Sequence, residues 1–332
     1  MKQSFISHPL RQFLLTASVT CVLVSSAKAA EKFSVDADHS KVGFSVTLIG
    51  VTDVEGRFSE FSGTIMYDDA DLTKSSVTAI IKSASINTGS SFRDKDLKAA
   101  PFFDADEFPT IRFQSTAIRK QGNDYVMAGL LTIRDVSKEI QAPLIWRQHK
   151  MNDPWKNSRI AFDSNIKLNR KDFGVLGPSF WNEGIANTVD IDLRITAEIP
   201  NFDLWGFPAS EGKKSIGALV YETTQKQGLD AALKQYKEAK QMQADAFLFA
   251  PGQLNVVGYK LMQHGKVKEA LEFFKLNVES YPDKALVYDS LGDAYLANGN
   301  KEQATKNFKK SLELDSANTS AIESLRSLGA GQ

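Results

Sequence analysis

From residue 42 to residue 199, apolar residues fall at every second position in run after run, and no long helical period interrupts them. Val42, Phe44, Val46 and Leu48 alternate with Gly43, Ser45 and Thr47, the pattern of a strand with one apolar face. Gly50, Gly56 and Gly63 then interrupt the chain where a strongly bent sheet tolerates a residue without a Cβ, and Phe58, Phe61 and Ile65 resume the apolar supply. Further alternating runs follow: Val77 to Ile81, Ile111 to Ser115 after Pro109, Tyr125 to Ile133, Ile140 to Trp146, Ile160 to Leu168 and Val189 to Ile199. Residues 87–109 break the series and predict a polar turn, a short helix over Arg93 to Ala99, and a loop presenting Phe102 and Phe103. About eight evenly spaced strands argue for an all-β sandwich or barrel, and an eight-stranded barrel is just wide enough to hold one slender ligand.

The first thirty residues stand apart. Lys2 and Arg11 give a positive start, Phe13 to Val24 is apolar, and Ala27-Lys28-Ala29 is a small-x-small cleavage signal, so a signal peptide over 1–30 with cleavage near Ala29 or Ala30 is expected. Such a chain works in the periplasm or outside the cell. The single cysteine, Cys21, falls inside this leader, which leaves the mature chain without thiol chemistry. Lysine plus arginine and aspartate plus glutamate both number 40, so there is no electrostatic footprint for nucleic acid. The 21 phenylalanines bring apolar area without a polar handle, which suits either a filled core or an interior that binds something oily.

Beyond Pro200 the pattern changes. Residues 201–214 have no periodicity and predict a linker, with Phe202, Trp205 and Phe207 available to pin it to the barrel. From Ser215 to Gln332 the sequence is helical and repeats: Gly265, Ala270 and Phe274 return 34 positions later as Gly299, Ala304 and Phe308. That interval is the tetratricopeptide period, with the best units at 251–284 and 285–318. Residues 216–239 predict a degenerate further unit, and Ala321 to Leu328 a capping helix. The stack reads either as a stabilising appendage or as a docking surface for a protein or peptide partner, and its concave form favours docking.

Catalytic chemistry has little to draw on. The mature chain has His39, His149 and His264, without metal-ligand spacing. Asp36, His39 and Ser40 can be drawn as a triad, but neighbours in one extended segment face different ways, so a structural hydrogen bond at the strand's start is the expectation. Asp104, Asp106 and Glu107 lack the glycine and distal glutamate of a calcium loop. The segment Asn169-Arg170-Lys171-Asp172-Phe173-Gly174 reads either as a barrel end capped by an Arg170–Asp172 charge pair or as a gate, with Phe173, Leu176, Phe180 and Trp181 lining a mouth.

Several motifs in order resemble the YceI-like family of bacterial polyisoprenoid-binding proteins: Asp36-x-x-His39-Ser40, Gly56-x-Phe58, Phe61-x-Gly63, Arg93-Asp94, Pro101-Phe102-Phe103-Asp104, Gly129-x-Leu131-Thr132-Ile133 and Asn169-Arg170-x-Asp172-Phe173-Gly174. The resemblance covers roughly residues 31–199. It implies a lipocalin-like antiparallel barrel whose elongated apolar cavity holds an isoprenoid chain, with no catalytic residues and no metal. Leu48 and Asp96 stand where the family often has histidine, which bears on head-group preference and not on the tail. The expected architecture is therefore an eight-stranded lipocalin-like barrel over 31–200 followed by a tetratricopeptide-like stack. The expected lining is Phe44, Val46, Leu48, Phe58, Ile65, Phe113, Leu131 and Phe162, with Phe102, Phe173 and Trp181 near the entrance. An exported isoprenoid carrier without a cofactor is one functional reading. A scaffold whose repeats bind a partner is a second, and a lipid esterase a third.

Overall fold

The computed structural model describes residues 30–154, 156–181, 183–202, 206–207, 210 and 212–330, with only the backbone of Trp181. The leader and Trp205 lie outside the described residues.

The alternating runs, with the run through Phe58 and Ile65 split in two and with two unmarked segments at 31–35 and 86–87, form eleven strands of one antiparallel sheet. In chain order they are β1 (Glu31–Val35), β2 (Lys41–Leu48), β3 (Thr52–Phe58), β4 (Phe61–Tyr67), β5 (Ser76–Lys82), β6 (Ile86–Asn87), β7 (Thr110–Gln121), β8 (Asp124–Ile133), β9 (Val136–Asn152), β10 (Ser158–Asn169) and β11 (Thr188–Ile199). Eight of them close a ring in the order β1-β4-β5-β7-β8-β9-β10-β11, sealed where Ser34 meets Glu198 and Val35 meets Ala197. A single turn of 3-10 helix at Ala37–His39 redirects the chain from β1 into β2, which stays on β11 and carries β3 and β6 beyond the ring. Each stave turns apolar residues inward because the closed interior is dry. The seam between β9 and β10 is paired only from Ser158 to Asp163, so the upper halves of these strands diverge. The helix α1 (Ser91–Lys98), capped by the Ser90 hydroxyl, follows β6.

The helical half contains α2 (Ile216–Gln227), α3 (Leu229–Met242), α4 (Pro251–Gln263), α5 (Val267–Ser280), α6 (Ala285–Ala297), α7 (Lys301–Leu314) and α8 (Thr319–Ser327), with a two-residue parallel bridge between β12 (Lys214–Ser215) and β13 (Phe247–Leu248). The 34-residue recurrence has a clear physical content. Gly265 and Gly299 end α4 and α6 in the left-handed region at φ 74° and 78°, where glycine carries no Cβ penalty. None of the described helices is long and apolar enough to cross a membrane.

The two halves pack together. Lys32 of β1 reaches Asp293 at 2.6 Å and Ser320 at 2.9 Å, with its ammonium 5.7 Å from the centre of the Phe308 ring. The fully buried Glu323 of α8 accepts from Ser76 at 2.7 Å and Thr78 at 2.5 Å, Thr64 meets Thr319 at 2.9 Å, and Arg326 donates to the Ser115 carbonyl. The expected capping helix thus covers the outer face of β4 and β5 as well as α7. The linker aromatics differ from expectation too: Phe202 stacks on Tyr259 at 4.7 Å and Phe207 lies against Tyr221, so the flat ring faces of α4 and α2 pin the connection to the helices.

Candidate functional site

One end of the barrel is solid. Phe33, Tyr67, Trp146 and Phe162 stand edge to face in a chain, each ring centre 5.6 Å from the next. Leu72, Ile118, Leu144 and Ile160 are buried around them. Aromatic edges set against faces pack without voids, so this floor closes the interior.

Above the floor lies a cavity of about 240 Å³. Residues from every stave line it, and apart from Ser62 and the Arg170 side chain they are glycine or apolar. Apolar cavities of about 150 Å³ already stay dry and accept hydrocarbon guests, so this one is large enough for an apolar ligand. Phe44, Val46, Phe58, Ile65, Phe102, Phe113, Leu131, Phe162 and Phe173 all line it, as expected from one face of each strand. Leu48 does not. It shares the inward parity of β2, but it lies past the ring, opposite Thr52, and is covered by a bridge to Ile185. The Trp181 side chain lies outside the described residues.

Sequence reasoning missed further lining residues. Leu97, Phe103, Val175 and Ile185 belong to α1 and the loops, where no periodicity marks a face. With Phe102 and Phe173 they frame the end opposite the floor, the mouth of the cavity. Arg170 organises this mouth. It is buried, and its guanidinium donates to the carbonyls of Ala186 at 3.0 Å, Ile185 at 3.0 Å, Val175 at 2.8 Å and Leu176. Burial holds its pKa below the usual arginine value. The expected Arg170–Asp172 pair is replaced: Asp172 faces Lys138 at 3.5 Å, because the left-handed turn at Gly174 folds the following loop back over Arg170. Asp104 lies 3.7 Å from Arg134, which also donates to the carbonyls of Ala100, Phe102 and Gly174.

The Asp36, His39 and Ser40 group serves structure. His39 Nδ1 is 2.8 Å from Asp36, and Asp36 also accepts from Arg159 at 3.0 Å. Ser40 turns away to exchange hydrogen bonds with the backbone of Thr196 at 3.0 and 3.2 Å. Burial alone would raise the Asp36 pKa, but the bonds from Arg159 and His39 outweigh it and hold the carboxyl below its usual value. A larger cleft of about 440 Å³ lies across β10, β11, β2 and β3; it is lined by charged residues of both signs, among them the pairs Lys41–Asp192 at 2.6 Å and Lys167–Asp190 at 2.5 Å beside Glu55 and Arg57, and so does not suit an apolar chain.

The fold is a closed antiparallel barrel with an apolar interior cavity, packed with aromatic rings at one end and framed by loops at the other. The chain belongs to the YceI-like family: the YceI-like domain matches residues 33–197. A UPF0312 protein of Serratia proteamaculans is 33% identical over 190 residues, 55% of this chain and 93% of that protein. A Protein YceI of Salmonella arizonae is 31% identical over 185 residues, covering 92% of its own length. Among solved structures, Burkholderia cenocepacia BcnA is 26% identical with a TM-score of 0.44, over 49% of this chain and 98% of that one. A polyisoprenoid binding domain from Saccharophagus degradans is 18% identical with a TM-score of 0.40, over 52% of this chain and all of that one.

Proposed function

We propose that the protein is an exported, periplasmic carrier or store for a long isoprenoid lipid, a polyprenyl chain or an isoprenoid quinone, held in the barrel cavity. The observation that carries this reading is the apolar lining contributed by every stave above a sealed aromatic floor. Burying hydrocarbon is worth about 0.8 kcal/mol per CH₂, so each five-carbon unit contributes roughly 3–4 kcal/mol before ordering costs. One hydrogen bond to a head group adds about 1 kcal/mol. Chain length therefore sets affinity, and the substitutions at Leu48 and Asp96 leave tail binding intact. Membership of the YceI-like family and the leader sequence support the ligand class and the export.

The helical domain, in this reading, docks a protein partner. The face bearing Asp289 and Asp293 is engaged by Lys32, so a partner taking that face must displace the barrel's own lysine. Mass spectrometry of lipids extracted from the purified protein tests the carrier reading, with an isoprenoid as the expected finding. Ala79→Phe, which fills the cavity from β5, should weaken uptake of a polyprenyl probe by about tenfold or more while overpacking costs about 1–3 kcal/mol of stability. Absence of any isoprenoid in the extract together with no probe uptake would sink it.

A further inference from the structure

We infer that the mouth of the barrel is a membrane-docking rim whose partner is the face of a lipid bilayer. The inference rests on the carrier reading and adds the place where the ligand is exchanged.

Exposed large apolar side chains gather on the segments around the mouth: Ile49 (62% exposed), Val51 (84%), Leu176 (46%) and Phe180 (81%), with Phe92 (77%) on α1. The first four sit on segments tied to one another. The Ile49 N–H donates to the Gly184 carbonyl at 2.6 Å, and Ala186 N–H to Thr47 at 2.9 Å, which fixes the β2–β3 tip to the loop before β11. Gly177 N–H donates to the Pro101 carbonyl at 2.7 Å, and Arg170 holds Leu176 and Ile185 from below. The apolar rim is therefore continuous with Ile185, Phe102 and Val175 of the cavity lining. Contiguous exposed apolar surface beside a binding cleft marks an interaction site.

Ile49 adds an independent sign. Its φ is 53°, in the left-handed region that a β-branched residue occupies only at a cost. Asparagine or glycine would make that turn at lower cost, yet the residue here is an isoleucine whose hydrocarbon stands 62% exposed at the tip.

The chemistry selects a bilayer. An isoprenoid chain leaving the cavity crosses this rim, and each methylene that meets water on the way raises the barrier, whereas a rim seated in lipid joins cavity and membrane without an aqueous gap. Among the described residues, the helical domain holds the barrel through side chains on β1, β4, β5 and β7 and not through the segments that carry the rim. Charges at the mouth are paired and of both signs, Asp172 with Lys138 and Asp104 with Arg134, so attraction to anionic lipid is not the driving term. Insertion of hydrocarbon into the interface is.

The test is flotation of the protein from Glu31 to Gln332 with phosphatidylcholine vesicles at low and high salt. The protein should float with the vesicles at both salt levels. The double variant Ile49→Glu, Val51→Glu should bind about tenfold less or weaker still, since each change replaces inserted hydrocarbon by charge. Ile49→Asn with Val51→Ser relieves the turn strain, stays folded and should show the same direction. Both variants should take up a polyprenyl probe from detergent micelles as the parent does, which separates failure at the rim from failure of the carrier reading. No flotation of the parent, equal flotation of the variants, or binding that disappears at high salt would overturn the inference.

Discussion

At Gly129 a Cβ would lie 2.4 Å from the Phe113 ring and 2.7 Å from the Gln114 carbonyl, and at Gly258 it would lie 2.3 Å from the Phe274 ring. The two halves of the chain use one device: a missing side chain lets an aromatic ring lie flat on the neighbouring backbone. In the barrel that ring is part of the lining. Adding a methyl forces the ring off its seat, and overpacking of this kind costs about 1–3 kcal/mol. Gly129→Ala should therefore lower the denaturation midpoint and, by pushing Phe113 into the cavity, also weaken probe uptake. Gly258→Ala should cost similar stability and leave uptake unchanged. Paired urea melts and uptake assays check both, and equal effects of the two changes on uptake would contradict the assignment of Phe113 to the cavity.

Elements were legible in the sequence to the extent that their environment is uniform along their length. Most staves have an apolar inner face, so period-2 alternation marked seven of the eight and the lining side of Phe113, Leu131 and Phe162; it missed β1, whose five residues are too short to show a period, and it marked β2, which carries Phe44 but lies outside the ring. Period gives the face of a residue and says nothing of its depth, which is why Leu48 shares the parity of Phe44 yet lies beyond the cavity. The 34-residue recurrence likewise marked the helix pairs, because glycine ends and glycine–ring contacts repeat with them. The contact between domains left no such trace. Thr64 and Thr78 look like ordinary outward polar residues of β4 and β5, yet they are 1% and 4% exposed, because α8 covers them. Glu323 is the polar centre of that contact. Glu323→Ala leaves the Ser76 and Thr78 hydroxyls facing a dry interface and should cost about 1–3 kcal/mol in a urea melt. Probe uptake should not change, since both hydroxyls point away from the cavity; a parallel loss of uptake would mean that α8 shapes the cavity through the wall.

Whether the molecule behaves as one body or two depends on a buried charge group with an excess of acid. Lys32 faces both Asp293, at 2.6 Å, and Asp289, which accepts from Ser320 at 2.8 Å. Burial alone would depress the lysine, but Asp293 and Asp289 together raise its pKa, so it stays a cation through the range where proteins fold. The half-buried Asp293 takes the Lys32 ion pair and a hydrogen bond from the Tyr259 hydroxyl, which leaves the buried Asp289 the less well compensated carboxyl. Burial, helped by repulsion from Asp293 and opposed by Lys32, pushes the Asp289 pKa up from 3.8 to about 6. A carboxyl whose folded value lies above its unfolded one binds the extra proton in the folded state. Its contribution is fully present below pH 3.8 and is lost as pH rises through about 6. A shift of this size corresponds to roughly 2–3 kcal/mol. Thermal melts should therefore show stability falling between these two pH values, a slope opposite to that of Asp36, whose lowered pKa adds stability lost only under more acidic conditions. Asp289→Asn copies the protonated form: it should flatten the slope and melt higher than the parent at alkaline pH. A variant that melts lower there would show that attraction to Lys32 outweighs the desolvation of Asp289. With the expected result, the contact between barrel and helices is strengthened wherever Asp289 holds its proton and weakens as that proton leaves.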